Sequence, residues 1–105
     1  MSTPLKQLNA KIFREQLHTK FKVHESGGEP MLLELEKVEE RHDSPETELF
    51  SLQFLGPFTP RLEQKIYRLE HEKLGDFEIF LTAIAADQQG TMYESVFHRF
   101  RNKPA

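Results

Sequence analysis

At 105 residues the chain is the size of one domain, long enough to bury about 65% of its unfolded surface in a single core. It has no Cys, which excludes disulfides, thiolate metal sites and cysteine nucleophiles and suits a reducing compartment. Its 37% hydrophobic and 30% charged residues, with a net charge of −3, describe a soluble globular protein.

No apolar run approaches the roughly 18 residues of a membrane span. Met1 to Lys6 lacks the apolar segment of a signal peptide, so a cytoplasmic location is expected, or export without such a signal.

Residues 4–19 read as a helix. Thr3 and Pro4 suit an N-cap and first helical position, and Leu5, Leu8, Ile12 and Leu17 recur near helical spacing, with Phe13 widening the stripe. The period then changes to two, and strands are expected over about 20–26, 31–41, 48–55, 65–71, 76–85 and 91–100. Phe21 and Val23 alternate with Lys22 and His24 before a turn at Ser26-Gly27-Gly28-Glu29-Pro30. In the second strand Leu33 and Leu35 share a face while Val38 is out of phase; one extra residue near Lys37, a β-bulge, restores it. His42 to Glu46 is a polar turn, and Phe50, Leu52 and Phe54 line one face of the third strand. Pro57 and Pro60 cannot donate to a ladder, so Gly56 to about Gln64 becomes the longest connection. Gly75 sits where a left-handed residue is wanted, Asp87 to Gly90 turns the chain, and Asn102 to Ala105 is a frayed tail. Short connections imply an antiparallel meander, and closing it removes its edges. The expected fold is mainly β: a six-stranded antiparallel barrel or compact sandwich with one N-terminal α-helix, residues 1–105 forming a single domain.

Charge is uneven along the chain. Residues 1–24 hold five Lys/Arg against Glu15, residues 97–105 hold three, and residues 25–96 hold 16 acids against six bases. Such asymmetry points either to a charged partner or to basic ends folded onto an acidic body. Apolarity is also uneven. Phe77, Ile79, Leu81 and Ala83 share one face of the fifth strand, with Phe80, Thr82 and Ile84 on the other. The sixth strand sets Tyr93, Ser95 and Phe97 against Met92, Val96 and Phe100. A hairpin apolar on both faces needs a second cover, either the N-terminal helix or a partner chain.

Catalytic patterns are scarce. Gly27-Gly28 lacks the Lys and following helix of a phosphate cradle, and no Ser stands beside a base. His18, His24, His42, His71 and His98 show no zinc-protease spacing, so no metal or other cofactor is expected. The carboxylate pairs Glu34 with Glu36 and Glu70 with Glu72 read as solvated strand faces. Arg99 and Arg101 beside Phe100 are a thin case for nucleic acid, which the acidic body opposes.

The segments Phe50 to Pro57, Ile66-Tyr67-Arg68-Leu69-Glu70-His71, Leu74-Gly75, Phe77 to Leu81 and Met92 to Phe97 resemble a small bacterial family of domains of unknown function. The resemblance covers roughly residues 8–97 and implies a helix plus antiparallel strands. It implies no activity, and associates the chain loosely with phage-tail-like gene sets.

The function expected is that of a non-enzymatic protein-binding or assembly module, in a partner complex or by self-association, without membrane contact. Phe58, Phe80, Ile84, Met92, Val96 and Phe100 are the expected contact residues. The alternative is a barrel holding a small apolar ligand against Tyr67, Phe54 and Phe97. Tyr67 and His71 are candidate ligand contacts, although His71 at a strand end could instead serve loop carbonyls.

Overall fold

Large inward-facing residues at alternate positions of the six strands give the sheet one buried face, and it curls until its first and fourth strands meet. The computed structural model describes residues 8–24, 29–43 and 47–100. Its elements are α1 (Ala10–Arg14), β1 (Lys20–His24), β2 (Met31–Asp43), β3 (Thr47–Gly56), β4 (Lys65–His71), β5 (Gly75–Asp87) and β6 (Gly90–Phe100). The strands close into a barrel in the order β1-β2-β3-β6-β5-β4, and every neighbouring pair is antiparallel. The expected Thr3–Pro4 cap, Leu5, the Ser26 to Gly28 turn, the turn from Ser44 and the tail from Arg101 lie outside the described residues, as does the side chain of Phe100.

Inward-facing residues build the core. Phe21 and Val23 of β1, Leu33 and Leu35 of β2, and Phe50, Leu52 and Phe54 of β3 are all buried. Tyr67 and Leu69 of β4, Phe77, Ile79 and Leu81 of β5, and Tyr93 and Phe97 of β6 complete the ring. Phe50 and Phe97 stack at 4.7 Å, and Phe21 meets Phe54 edge-on at 5.3 Å, geometries that aromatic quadrupoles favour. The expected bulge in β2 is present: Leu35 pairs with Phe54 and Lys37 with Gln53, leaving Glu36 extra. Gly75 takes φ 80° in the β4–β5 turn and Gly90 takes φ 148° in the β5–β6 turn.

The helix differs from the expected one in length and in place. It runs only from Ala10 to Arg14, capped by the Asn9 side chain, which accepts from the Ile12 N–H at 2.9 Å. The chain then turns through His18 at φ 66° and rejoins the sheet, where the His18 N–H donates to the Leu35 carbonyl at 2.7 Å. Instead of covering the outside of the last hairpin, α1 plugs one end of the barrel. Phe13 is fully buried there, 6.2 Å from Phe50, 5.8 Å from Phe77 and 6.0 Å from Phe97. Arg14 Nη2 binds Glu40 Oε1 at 3.0 Å on the rim. The physical reason is volume: a short helix presents one large ring, and an open barrel end needs one. The opposite end is closed by the β3–β4 loop, whose buried Leu62 donates its backbone N–H to the Tyr93 hydroxyl oxygen at 2.8 Å.

Two stability predictions follow from these fittings. Phe13→Ala should lower stability by about 3–5 kcal/mol in denaturant titration, the cost of an emptied aromatic site. Gly90→Ala should cost about 1–3 kcal/mol by the same measurement, because a Cβ there meets the Gly56 carbonyl and the backbone angle is one that Ala rarely adopts.

Candidate functional site

The wall of the barrel has an opening. β5 and β6 pair from Asp87↔Gly90 to Thr82↔Glu94, and there the ladder stops. Both strands continue: β5 runs back to Gly75 paired with β4, and β6 runs on to Phe100 paired with β3. Beyond this point the β5 register is with β4 and the β6 register is with β3. From within the barrel Phe13 touches both diverging strands, at Phe77 and Phe97.

On the outside the seam forms a groove of about 420 Å³ lined by Ile66, Glu78, Phe80, Val96 and His98, with Ile79, Ser95 and Phe97 deeper. Ile66 is 63% exposed, Phe80 46% and Val96 59%. Ile66 and Phe80 are direct ladder partners, so the apolar surface crosses from β4 to β5 without a break. Contiguous exposed apolar side chains of this size are uncommon on a protein without a use for them. Beside Val96 in the ladder stands Ser51, whose buried hydroxyl has no hydrogen-bond partner among the described residues.

The expected contact residues are thus divided. Phe80 and Val96 come together in the groove. Ile84 is exposed farther along β5 at its register shift, and Met92 is half-buried opposite Ala85. Phe58 is exposed in the β3–β4 loop, away from the groove lining, where its carbonyl accepts from Thr91 Oγ1 at 3.3 Å. Ile66 was not singled out by the sequence, although the inward placement of Tyr67 and Leu69 carries the signal that Ile66 faces out.

The candidate ligand contacts lie inside the fold. Phe54, Tyr67 and Phe97 are core side chains, and the Tyr67 hydroxyl donates to the Glu63 carbonyl at 2.6 Å. His71 is buried, with its ring 4.3 Å from Phe21. Its Nδ1 accepts from the Lys73 and Leu74 N–H groups at 3.0 and 3.2 Å, so it serves loop amides and not carbonyls. The ring proton then sits on Nε2 and points to Thr19 Oγ1 at 2.8 Å, whose hydroxyl donates to the Gln16 carbonyl at 2.6 Å. Desolvation lowers the pKa of His71, with a smaller opposing effect from Glu72.

A second cluster was not legible in residue spacing. His18, Glu34 and Glu36 bring an imidazole and two carboxylates within 4.8 Å of one another. A cation is already in place, because Lys20 Nζ lies 2.7 Å from Glu34 Oε1. That hydrogen bond holds the Glu34 carboxyl below the usual carboxylate range, while the hydrogen bond to Glu34 pushes Glu36 up. Near it, His24 Nε2 binds Glu70 Oε1 at 2.9 Å and keeps Glu70 low.

These features define a class: a small closed antiparallel barrel, filled at both ends, with an apolar groove where one ladder parts. The chain belongs to the family described as a domain of unknown function (DUF6916), which matches residues 8–97. No curated protein and no solved structure matches the chain. Among the described residues, no helix is long and apolar enough to cross a membrane.

The His71 network predicts a pH dependence with a definite sign. Its folded pKa lies below the unfolded value of about 6.5, so the unfolded state binds the proton first as pH falls. The contribution is complete above that value and is lost as pH drops through it toward the folded pKa. His71→Asn should flatten this loss in thermal unfolding followed between pH 7.5 and 5; an unchanged slope would place the titration elsewhere.

Proposed function

We propose that this protein is a non-enzymatic protein-binding or assembly module. The observation that carries the reading is the groove over the parted β5–β6 ladder, where Ile66, Phe80 and Val96 are exposed together on a wall held by rigid strands. The charge pattern supports a protein partner over a polyanion. The basic N-terminal stretch is engaged with the acidic body through Arg14–Glu40 and Lys20–Glu34, at 3.0 and 2.7 Å. The loose association that the resemblance implies with phage-tail-like gene sets extends the proposal to an accessory or structural component of such a particle.

Phe80→Asp and Val96→Asp test the reading. Each side chain faces outward, so each variant should stay folded, with stability within about 1 kcal/mol of the parent. Each should abolish partner association, followed by crosslinking in cells that make the protein and by light scattering of the purified chain at low and high salt. Global unfolding of either variant would assign these residues to the core, and unchanged association would remove the groove from the interface.

A further inference from the structure

Two glutamates at alternate positions of a strand are by themselves a solvated face, but Glu34 and Glu36 have a third donor beside them from another segment. His18 Nδ1 stands 3.8 Å from Glu34 Oε2 and 4.0 Å from Glu36 Oε2. Both distances exceed those of hydrogen bonds. They approach the spacing of atoms that share an ion, because ligands about 2.1 Å from a tetrahedral centre lie about 3.4 Å apart. Ligand atoms of all three side chains fall within 4.8 Å of one another. We infer that His18 Nδ1 and one carboxylate oxygen from each of Glu34 and Glu36 bind a first-row divalent cation of the Zn²⁺ type, with water completing its coordination. None of these three residues lines the groove.

The backbone places each donor. The His18 N–H donates to the Leu35 carbonyl at 2.7 Å, and the Leu35 N–H donates to the Thr19 carbonyl at 3.2 Å. His18 is thereby fastened beside the residue that separates the two glutamates. Its φ of 66° is the left-handed bend by which the chain enters this pairing. Glu36 is the extra residue of the β2 bulge, and a bulge re-aims a side chain away from the regular pleat. Lys20, the ladder partner of Glu34, takes Oε1 at 2.7 Å and leaves Oε2 facing His18. One ammonium does not match two carboxylates, so attraction for a further cation remains. His18 is exposed and both glutamates are half-buried, so an ion has a path in. The side chains need draw together by only about half an ångström to reach ligand spacing. The donor set also selects the ion. Mg²⁺ and Ca²⁺ take oxygen ligands, whereas an imidazole with carboxylates suits Zn²⁺ and its neighbours. Phe13 precedes His18 by five residues, so the bound ion fastens the segment that carries the barrel plug to β2.

The test is calorimetric titration of the untagged full chain with Zn²⁺ at about pH 7.5, where imidazole is neutral and carboxylates are ionised. One ion should bind per chain. The thermal midpoint should rise with Zn²⁺ concentration, because the three donors meet only in the folded chain. His18→Gly removes the imidazole and keeps a backbone angle that glycine adopts freely, so that variant stays folded. Glu36→Gln keeps the shape and removes the charge. Each variant should bind Zn²⁺ at least about 10-fold more weakly, since loss of even an outer-shell partner costs that much. X-ray absorption should show nitrogen and oxygen ligands about 2.0–2.2 Å from the ion, one of them an imidazole. Equal concentrations of Mg²⁺ or Ca²⁺ should leave it in place. A dissociation constant above about 100 μM would overturn the inference. So would Zn²⁺ binding that either substitution leaves unchanged, or an absorption spectrum without imidazole. Displacement by Mg²⁺ or Ca²⁺ at equal concentration would also overturn it and reduce the cluster to an acidic surface.

Discussion

The structure depends on filling the ends of a closed sheet. The two mouths of a six-stranded barrel expose the core unless something bulky stands in them. Phe13 does this at one end and Leu62 at the other, one from a helix of five residues and one from a loop. The Phe13 ring is surrounded by Phe50, Phe77 and Phe97, so a single side chain ties the N-terminal segment to β3, β5 and β6. It also stands against the two strands whose ladder has ended. The plug and the groove are therefore two sides of one arrangement: where Phe13 fills the interior, the wall outside it is parted.

Much of this was legible because a strand's period is unambiguous when its inward residues are large. Phe50-Leu52-Phe54, Tyr67-Leu69 and Phe77-Ile79-Leu81 all face inward as their alternation requires. The bulge at Glu36 was readable because Val38 broke an otherwise regular pattern, and a slip of one residue would turn the whole face over. Gly75 was readable because a tight turn needs the left-handed backbone it adopts. The helix was not readable in the same way. A stripe of Leu5, Leu8 and Ile12 has the right spacing, but periodicity does not say where the amphipathic face will dock or that the Asn9 side chain will start the helix late. The seam was invisible for a related reason: ladder length is set by how the strands splay in space, and no residue in Ser95 to His98 announces it.

Part of the charge pattern resolves within the molecule, at the N-terminal side of the sheet. The basic segment from Arg14 to Lys20 lies over β2, where Arg14 meets Glu40 and Lys20 meets Glu34. These pairs are exposed and add little stability individually. Their consequence is positional, because they hold the turn that carries Phe13 against the acidic strand. Arg68 and Asp76 make a similar cross-strand pair at 3.0 Å beside the Gly75 turn.

The same reasoning separates the parts of the family-like motif around residues 66–71 by the face on which each lies. Tyr67 and Leu69 point inward, and His71 closes the strand with both ring nitrogens engaged by Thr19 and the turn amides. A histidine so placed ties β4, the turn and the segment before β1 together, and a ligand would have to displace those bonds to reach it. Ile66 belongs to the opposite face and is, among the described residues, the most exposed of the large apolar side chains. Within one short strand, then, the polar residue that looks chemical is committed to the fold, and the aliphatic residue that looks structural is presented to the outside. The interior is closed at both ends, and the exposed Ile66, Phe80 and Val96 gather along the parted seam, with Leu32, Phe58 and Ile84 exposed elsewhere on the surface.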